Sequence, residues 1–256
     1  MSDHIPNESE PMSERMSLRR KGTYLLPNLF TTGVLFLGFA AIVSAMDGRF
    51  EHAALLVFIA MVLDFFDGAV ARLTHTQTDF GANYDSLADM VAFGAAPSIM
   101  MYAWALQPLG RWGWLFAFVY CGCVAYRLAR FNVNSGVVDK RMFQGLPSPS
   151  GAALVAGLIW VWDDFGIERA ELQRATAAAI TVFAGATMAS KIPFYSLKTI
   201  NFRRIVPFWV VLLLFVVLIV ISSQPPVTLF LIFLAYSMSG YAMWLWNFRK
   251  RRSSMF

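Results

Sequence analysis

Four aspartates between two strongly apolar runs are the feature of this sequence that most restricts its fold. The stretch DFFDGAVARLTHTQTDFGANYDSLAD, residues 64–89, carries Asp64, Asp67, Asp85 and Asp89. In its first half, residues 64, 67, 68, 71 and 72 are spaced i, i+3, i+4, i+7 and i+8. In its second half, residues 81, 85 and 89 are spaced i, i+4 and i+8. Each set has the spacing of a single helix face. The flanking runs 53–63 and 90–106 are almost wholly apolar. We therefore expect two helices, joined by a turn near residues 74–79, whose carboxylates face one another.

Composition places these aspartates in a membrane. The chain of 256 residues is 57% hydrophobic and only 14% charged, with a mean hydropathy of +0.55, which excludes an ordinary soluble domain. One aspartate deep in a spanning helix costs about 2.5–3.5 kcal/mol. Because no His or Cys accompanies the four, hard divalent cations with oxygen ligands, Mg²⁺ or Mn²⁺, are the expected compensation.

The aspartates and their small neighbours are also compatible with simpler roles. Arg72 could pair with one aspartate in an intramembrane salt bridge, but three aspartates would remain without such a partner. The small residues Gly68, Ala71 and Gly81 could serve close helix packing, or let a ligand approach the backbone. A cation transporter also places aspartates within a membrane, although the fixed Gly-Ala-Arg spacing has no role in that function.

The same stretch resembles a known family signature. It matches D-x2-D-G-x2-A-R-x8-G-x3-D-x3-D without departure, and on these residues the chain is identified as a member of the CDP-alcohol phosphotransferase family. Within it, LPNLFTT, RLARFN and F-x-G-L-P-x-P are similar to the integral-membrane bacterial phosphatidylserine synthases. The similarity runs from about residue 20 to 195, with Ser150-Gly151 as a small departure where alanines are usual.

The resemblance implies a reaction. The phosphatidyl group of CDP-diacylglycerol would pass to L-serine, giving phosphatidylserine and CMP; another alcohol, such as glycerol 3-phosphate, inositol phosphate or choline, is the alternative acceptor. Asp64, Asp67 and Asp85 would hold two divalent cations with Asp89 at the edge of the cluster, and Asp89 would take the proton of the attacking hydroxyl. The resemblance also implies a homodimer and gives no role to nucleic acid.

Two further sets of residues are candidates for substrate binding on this resemblance. The nucleotide and diphosphate set is Asn28, Thr31, Gly68, Ala71, Arg72, Thr78 and Gly81. The serine or phosphate set is Arg130, Asn132, Lys140, Arg141 and Gln144. The simpler interpretations are a helix start at Pro27, and a cytoplasmic basic loop with two prolines before a helix.

The pattern of apolar runs predicts an all-α polytopic membrane protein. We expect about eight transmembrane helices, near 25–46, 52–73, 80–106, 112–130, 148–162, 175–195, 205–222 and 226–246. Residues 1–20 are expected to be a disordered basic segment, residues 21–248 the membrane domain and residues 249–256 a basic tail. Cys121 and Cys123 lie in an apolar run and predict neither a disulfide nor a metal site.

The distribution of basic residues predicts the orientation. With the N-terminus inside and eight spans, only Arg49, Arg111, Arg169 and Arg174 of the 21 Lys and Arg residues lie outside. The positive-inside rule therefore favours cytoplasmic termini, in the bacterial inner membrane that the resemblance implies. The aspartates then line a polar active-site cavity in the cytoplasmic leaflet.

Overall fold

Helices dominate the part of the chain that the computed structural model describes, which is residues 12–73, 78–134, 142–166, 169–195, 219 and 221–253. The main helices are α1 (Met12–Met46), α2 (Phe50–Leu73), α3 (Asp79–Asp89), α4 (Ala96–Met101), α5 (Arg111–Asn134), α6 (Ser148–Phe165), α7 (Ala170–Ala189) and α8 (Pro225–Ser253). Two short strands, β1 (Met142–Gln144) and β2 (Pro193–Tyr195), pair antiparallel with Phe143 opposite Phe194.

Five helical stretches of the described residues are long and apolar enough to cross a membrane. They are Asn28–Met46, Phe50–Val70, Asp79–Leu109, Arg111–Val133 and Pro225–Trp246. They coincide with the first four and the last of the expected spans, which confirms an all-α membrane protein. The expected fifth span and most of the sixth are helical as α6 and α7, but these are not among the five, and the seventh (205–222) lies almost wholly outside the described residues. The number eight therefore stays a prediction.

Helix α6 lies at the centre of the bundle. Twelve of its 18 residues are buried, and α2, α7 and α8 all pack against it. Its first half, SPSGAALVAG, is made mostly of small residues, which let neighbouring helices approach closely. The N-terminus of α6 is consequently enclosed, and Ser148 is fully buried.

The third span is continuous but changes its helical geometry directly after Asp89. A π-helical turn, Met90–Ala95, follows α3, and a second one, Tyr102–Leu106, follows α4. Pro97 lacks the N–H that would close an α-turn onto the carbonyl of Phe93. The hydroxyl of Tyr120 donates to that carbonyl at 3.0 Å, and Ser98 Oγ donates to the carbonyl of Ala117 at 3.0 Å. The irregular span is thereby fastened to α5.

A close approach of α1 secures the same π-helical turn from the other side. A Cβ atom on Gly38 would lie 2.6 Å from Cα of Ala92. Only glycine therefore allows α1 to touch the backbone of this turn at its present distance. Because α1 also packs along α2 and against α3, it fixes the relative position of the two helices that carry the aspartates.

Arg130 joins the strand pair to the helices. Its guanidinium donates to the carbonyls of Gln144 (2.6 Å), Ser190 (3.1 Å) and Ala189 (3.2 Å).

The expected sixth span, 175–195, is too long at its C-terminal end, because α7 ends at Ala189 and residues 193–195 form β2. The physical reason is Pro193, which has no N–H and disfavours helical geometry in the residue before it.

The beginning of the chain also differs from expectation. The backbone of residues 12–20, part of the segment expected to be disordered, is helical and continues into the first span as α1. Ser, Glu, Arg and Leu in this segment are compatible with a helix once a long apolar helix follows to extend. Residues 1–11 lie outside the described residues.

Removing the Tyr120 hydroxyl tests how the broken span is held. We expect Tyr120→Phe to lower the stability of the detergent-solubilised protein by about 1–3 kcal/mol, because the buried carbonyl of Phe93 loses its donor. Tyr126→Phe, on the same helix but 56% exposed, is the matched control and should stay within about 0.5 kcal/mol of wild type. Denaturant or thermal unfolding measures both; equal effects of the two changes would contradict this role.

Candidate active site

Three of the four aspartates form a cluster between two helices. Asp64 of α2 and Asp85 and Asp89 of α3 each offer a carboxylate oxygen, and these atoms all lie within 4.8 Å of one another. Asp85 and Asp89 are four residues apart and so share one face of α3. Asp89 is only 9% exposed, whereas Asp64 and Asp85 are half-buried.

The cluster fits a hard divalent cation. Oxygens on opposite sides of Mg²⁺ are about 4.2 Å apart, which is twice the usual Mg–O distance, so oxygens within 4.8 Å of one another are close enough to share one ion. The donor set is oxygen alone, with no His or Cys in the group. Three carboxylates at this distance in a bundle of apolar helices also repel one another, so a bound cation stabilises the arrangement.

Asp67 lies outside this cluster. It is 5% exposed, and its Oδ2 accepts a hydrogen bond from the hydroxyl of Thr31 on α1. Of the four aspartates that are expected from the sequence to face one another, Asp67 is thus the one whose oxygens are not within 4.8 Å of the other three. Thr31, which is 3% exposed, orients the carboxylate of Asp67 instead.

Several of the residues expected to bind the nucleotide lie close together along the contact between α1 and the start of α3, which we call the seam. Thr78 caps α3, with its Oγ1 accepting from the N–H of Gly81 at 3.0 Å. A Cβ atom on Gly81 would lie 3.1 Å from Thr78 Oγ1 and 3.9 Å from Oδ1 of Asn28. Asn28, Thr78 and Gly81 are thus neighbours in space, although Asn28 is about fifty positions away in sequence.

Two residues that the sequence analysis did not select also belong to this seam. The hydroxyl of Thr32 lies 2.9 Å from that of Tyr84 and donates to the carbonyl of Asn28 at 2.7 Å. Tyr84 is three residues after Gly81 and therefore on the same side of α3. That spacing is the signal that could have found it.

The other end of α2 is described only in part. Gly68 is half-buried and lies one turn after Asp64, on the same helix face. Ala71 and Arg72 are in α2 by their backbone, but their side chains lie outside the described residues. Their contact with a diphosphate stays a prediction.

The candidates for the serine or phosphate set separate in the structure. Arg130 is engaged with three carbonyls, one of them that of Gln144, whose side chain is exposed. Asn132 is hydrogen-bonded through Nδ2 and Oδ1 to the hydroxyl of Ser86 on α3, at 3.0 and 3.1 Å. Lys140 and Arg141 lie outside the described residues.

Among the described residues, Arg127, one turn before Arg130, is a cation whose charge interacts with two of the aspartates. Its guanidinium interacts electrostatically with Asp89 and Asp64, and NH1 donates to Ser148 Oγ at 2.7 Å. Arg127 is the first residue of the RLARFN motif, but it is not among the site residues expected from the sequence. The sequence signal for Arg127 is its three-residue spacing from Arg130, which puts both residues on one side of α5.

Comparison with known proteins identifies the family. A family model described as CDP-alcohol phosphatidyltransferase matches residues 24–190, which contain the whole aspartate cluster. A protein of Helicobacter pylori (strain ATCC 700392 / 26695) named CDP-diacylglycerol--serine O-phosphatidyltransferase is 33% identical over 87% of this chain and 92% of its own length. Proteins with the same name are 39% identical in Bacillus subtilis (51% of this chain, 73% of the relative) and 35% in Mycobacterium tuberculosis H37Rv (57% and 54%).

The match and the geometry agree. Enzymes of this kind use divalent metals, and the chain offers a carboxylate cluster suited to them within apolar helices. The resemblance drawn from the aspartate signature is confirmed: this chain belongs to the CDP-alcohol phosphatidyltransferase family of membrane transferases.

Proposed function

We propose that this enzyme transfers the phosphatidyl group of CDP-diacylglycerol to L-serine, giving phosphatidylserine and CMP. The observation that carries the proposal is the cluster of Asp64, Asp85 and Asp89 inside a bundle of membrane helices. Such a site suits a substrate that combines a lipid with an anionic diphosphate. Serine as the acceptor is supported by the names of the relatives, above all the one matched over 87% of this chain.

The cations are proposed to be two Mg²⁺ or Mn²⁺ ions. Asp64, Asp85 and Asp89 would hold them together with Asp67, whose Oδ1 is the oxygen left for this purpose because Oδ2 accepts from Thr31. Bound there, the ions would bind the diphosphate and offset the charge that develops on the leaving CMP.

Asp89 is proposed as the proton acceptor. It is the most buried aspartate of the cluster, and the serine hydroxyl loses its proton to it as the oxygen attacks the β-phosphate. A bond forms between the serine oxygen and phosphorus, and the bond from phosphorus to the CMP oxygen breaks. A carboxylate beside cations is a weak base, so proximity to the hydroxyl supplies much of the effect.

The nucleotide end of the substrate is assigned to the seam of α1, α2 and α3. Asn28, Thr78 and Gly81 adjoin there, with Thr31 behind them and Gly68 and Ala71 as small residues on α2. Arg72 would bind the diphosphate through its planar guanidinium. Lys140 and Arg141 are proposed to attract anionic groups to the same membrane face.

The orientation is proposed from charge. The basic residues predicted to lie on one side favour cytoplasmic termini and a site in the cytoplasmic leaflet of a bacterial inner membrane. In this position CDP-diacylglycerol would enter laterally from the membrane, while serine would enter from the cytoplasm and CMP would leave to it. We also propose that the enzyme is a homodimer, because the family resemblance implies one.

The acceptor is tested by measuring CMP release from CDP-diacylglycerol by the detergent-solubilised enzyme with Mg²⁺ or Mn²⁺. We expect release to require L-serine and to yield phosphatidylserine. Glycerol 3-phosphate, inositol phosphate and choline, supplied separately, are the controls. Release that depends on one of them and not on serine would keep the reaction and refute the acceptor.

Changing Asp89 tests the proton acceptor. We expect Asp89→Asn to reduce the single-turnover rate of CMP formation by roughly 10²–10⁴-fold, because the amide cannot take the proton, while the enzyme still binds CMP. Asp163→Asn, an exposed aspartate on α6 outside the cluster, is the control and should retain activity. Near-normal turnover by Asp89→Asn would refute the assignment.

Removing the Thr31 hydroxyl tests the position of Asp67 in the metal set. Partners that orient a metal ligand typically contribute 10–100-fold to affinity, so we expect Thr31→Val to weaken Mn²⁺ binding by about tenfold or more. Thermal stabilisation of the substrate-free protein during Mn²⁺ titration measures this. Thr176→Val on α7, whose hydroxyl bonds within its own helix, should bind Mn²⁺ as wild type does. An unchanged affinity in Thr31→Val would place Asp67 outside the set.

A further inference from the structure

The charge of Arg127 is not used by the proposed chemistry. It lies on α5 in a half-buried position, and its charge interacts electrostatically with Asp89 and Asp64. Arg130, one turn later, donates to the carbonyls of Gln144, Ala189 and Ser190 and so has a structural role. Of these two cations, Arg127 is therefore the one whose charge interacts with the cluster.

The hydrogen bonding of Arg127 leaves it able to bind an anion. Within the described residues, its hydrogen bond is the one that NH1 donates to Ser148 Oγ at 2.7 Å. Ser148 is fully buried at the start of α6 and so fixes one corner of the planar group. A guanidinium has five N–H donors in a rigid fork, so the remaining ones can receive a carboxylate.

The interaction of Arg127 with Asp89 suggests which carboxylate it binds. We propose that Arg127 binds the α-carboxylate of the amino-acid acceptor and thereby selects serine over alcohols without an acidic group. This inference rests on the proposed function. In serine only two carbon atoms separate the hydroxyl oxygen from the carboxyl carbon, so a base and a cation whose charges interact within one site, as those of Asp89 and Arg127 do, suit its two ends.

Charge balance supports the same role. Once cations occupy the aspartates, the carboxylates of Asp89 and Asp64 no longer compensate Arg127, and its positive charge becomes available to an incoming anion. In a half-buried site this attraction exceeds that at a surface, because the surroundings screen it less. A residue that merely neutralised the aspartates would not discriminate between acceptors, and this difference makes the inference testable.

The experiment compares L-serine with L-serine amide, which keeps the hydroxyl and the amine but lacks the carboxylate. We expect the wild-type enzyme to favour serine in kcat/KM, and Arg127→Gln to reduce that preference by roughly 10- to 100-fold, the size expected for a lost charge-assisted pair. The loss should appear mainly in KM for serine, with KM for CDP-diacylglycerol little changed. Arg127→Lys, which keeps the charge without the fork, should be intermediate.

The design separates folding from specificity. A preference is a ratio between two acceptors for the same preparation, so it does not depend on how much of a variant is folded. Arg174→Gln, which removes an arginine paired with Glu171 on α7, is the matched control and should keep the wild-type preference.

Two outcomes would overturn the inference in distinguishable ways. Wild-type transfer to serine with an unchanged preference in Arg127→Gln would refute the role of Arg127 alone. A wild-type enzyme that releases CMP only with an acceptor other than serine would refute the proposed function and this inference together.

Discussion

Mutual repulsion of carboxylates inside an apolar bundle is the constraint on which this structure depends. Asp64, Asp85 and Asp89 are held within 4.8 Å by helices that must also bury their apolar faces. Part of that cost is offset by α5, whose Arg127 interacts electrostatically with Asp89 and Asp64. Asp67, outside the cluster, accepts a hydrogen bond from Thr31 of α1. With the proposed function, bound divalent cations would compensate the remaining charge, and the stability of the site and its function would then depend on the same residues.

The irregular third span keeps these charges in place. A π-helical turn starts immediately after Asp89, and π-helical turns inside longer helices occur frequently at functional sites. Here the turn is held by contacts to two helices: Gly38 lets α1 touch it, and Tyr120 of α5 donates to its carbonyl. The direction in which Asp85 and Asp89 face is thus set by residues outside the carboxylate cluster itself.

The sequence predicted the local features of the site better than its long-range ones. Asp85 and Asp89 could be placed together because a four-residue spacing fixes a helix face whatever the surroundings. Arg130 and Arg127 share a side of α5, and the position of the end of α7, about sixty residues later in the chain, decides which of them binds carbonyls. The pairing of β1 with β2 was missed for the same reason, since it depends on partners distant in sequence.

The strand pair has a consequence for how the chain is assembled. Because β1 pairs with β2, the segment that contains α6 and α7 begins and ends at one point of the molecule. At that point the guanidinium of Arg130 donates hydrogen bonds to the carbonyls of Gln144, Ala189 and Ser190, which all have to be in place. The hydrogen bonds of Arg130 to this point therefore form only once α7 has been synthesised, so the central helix α6 is fastened at its N-terminal side together with the C-terminal end of α7.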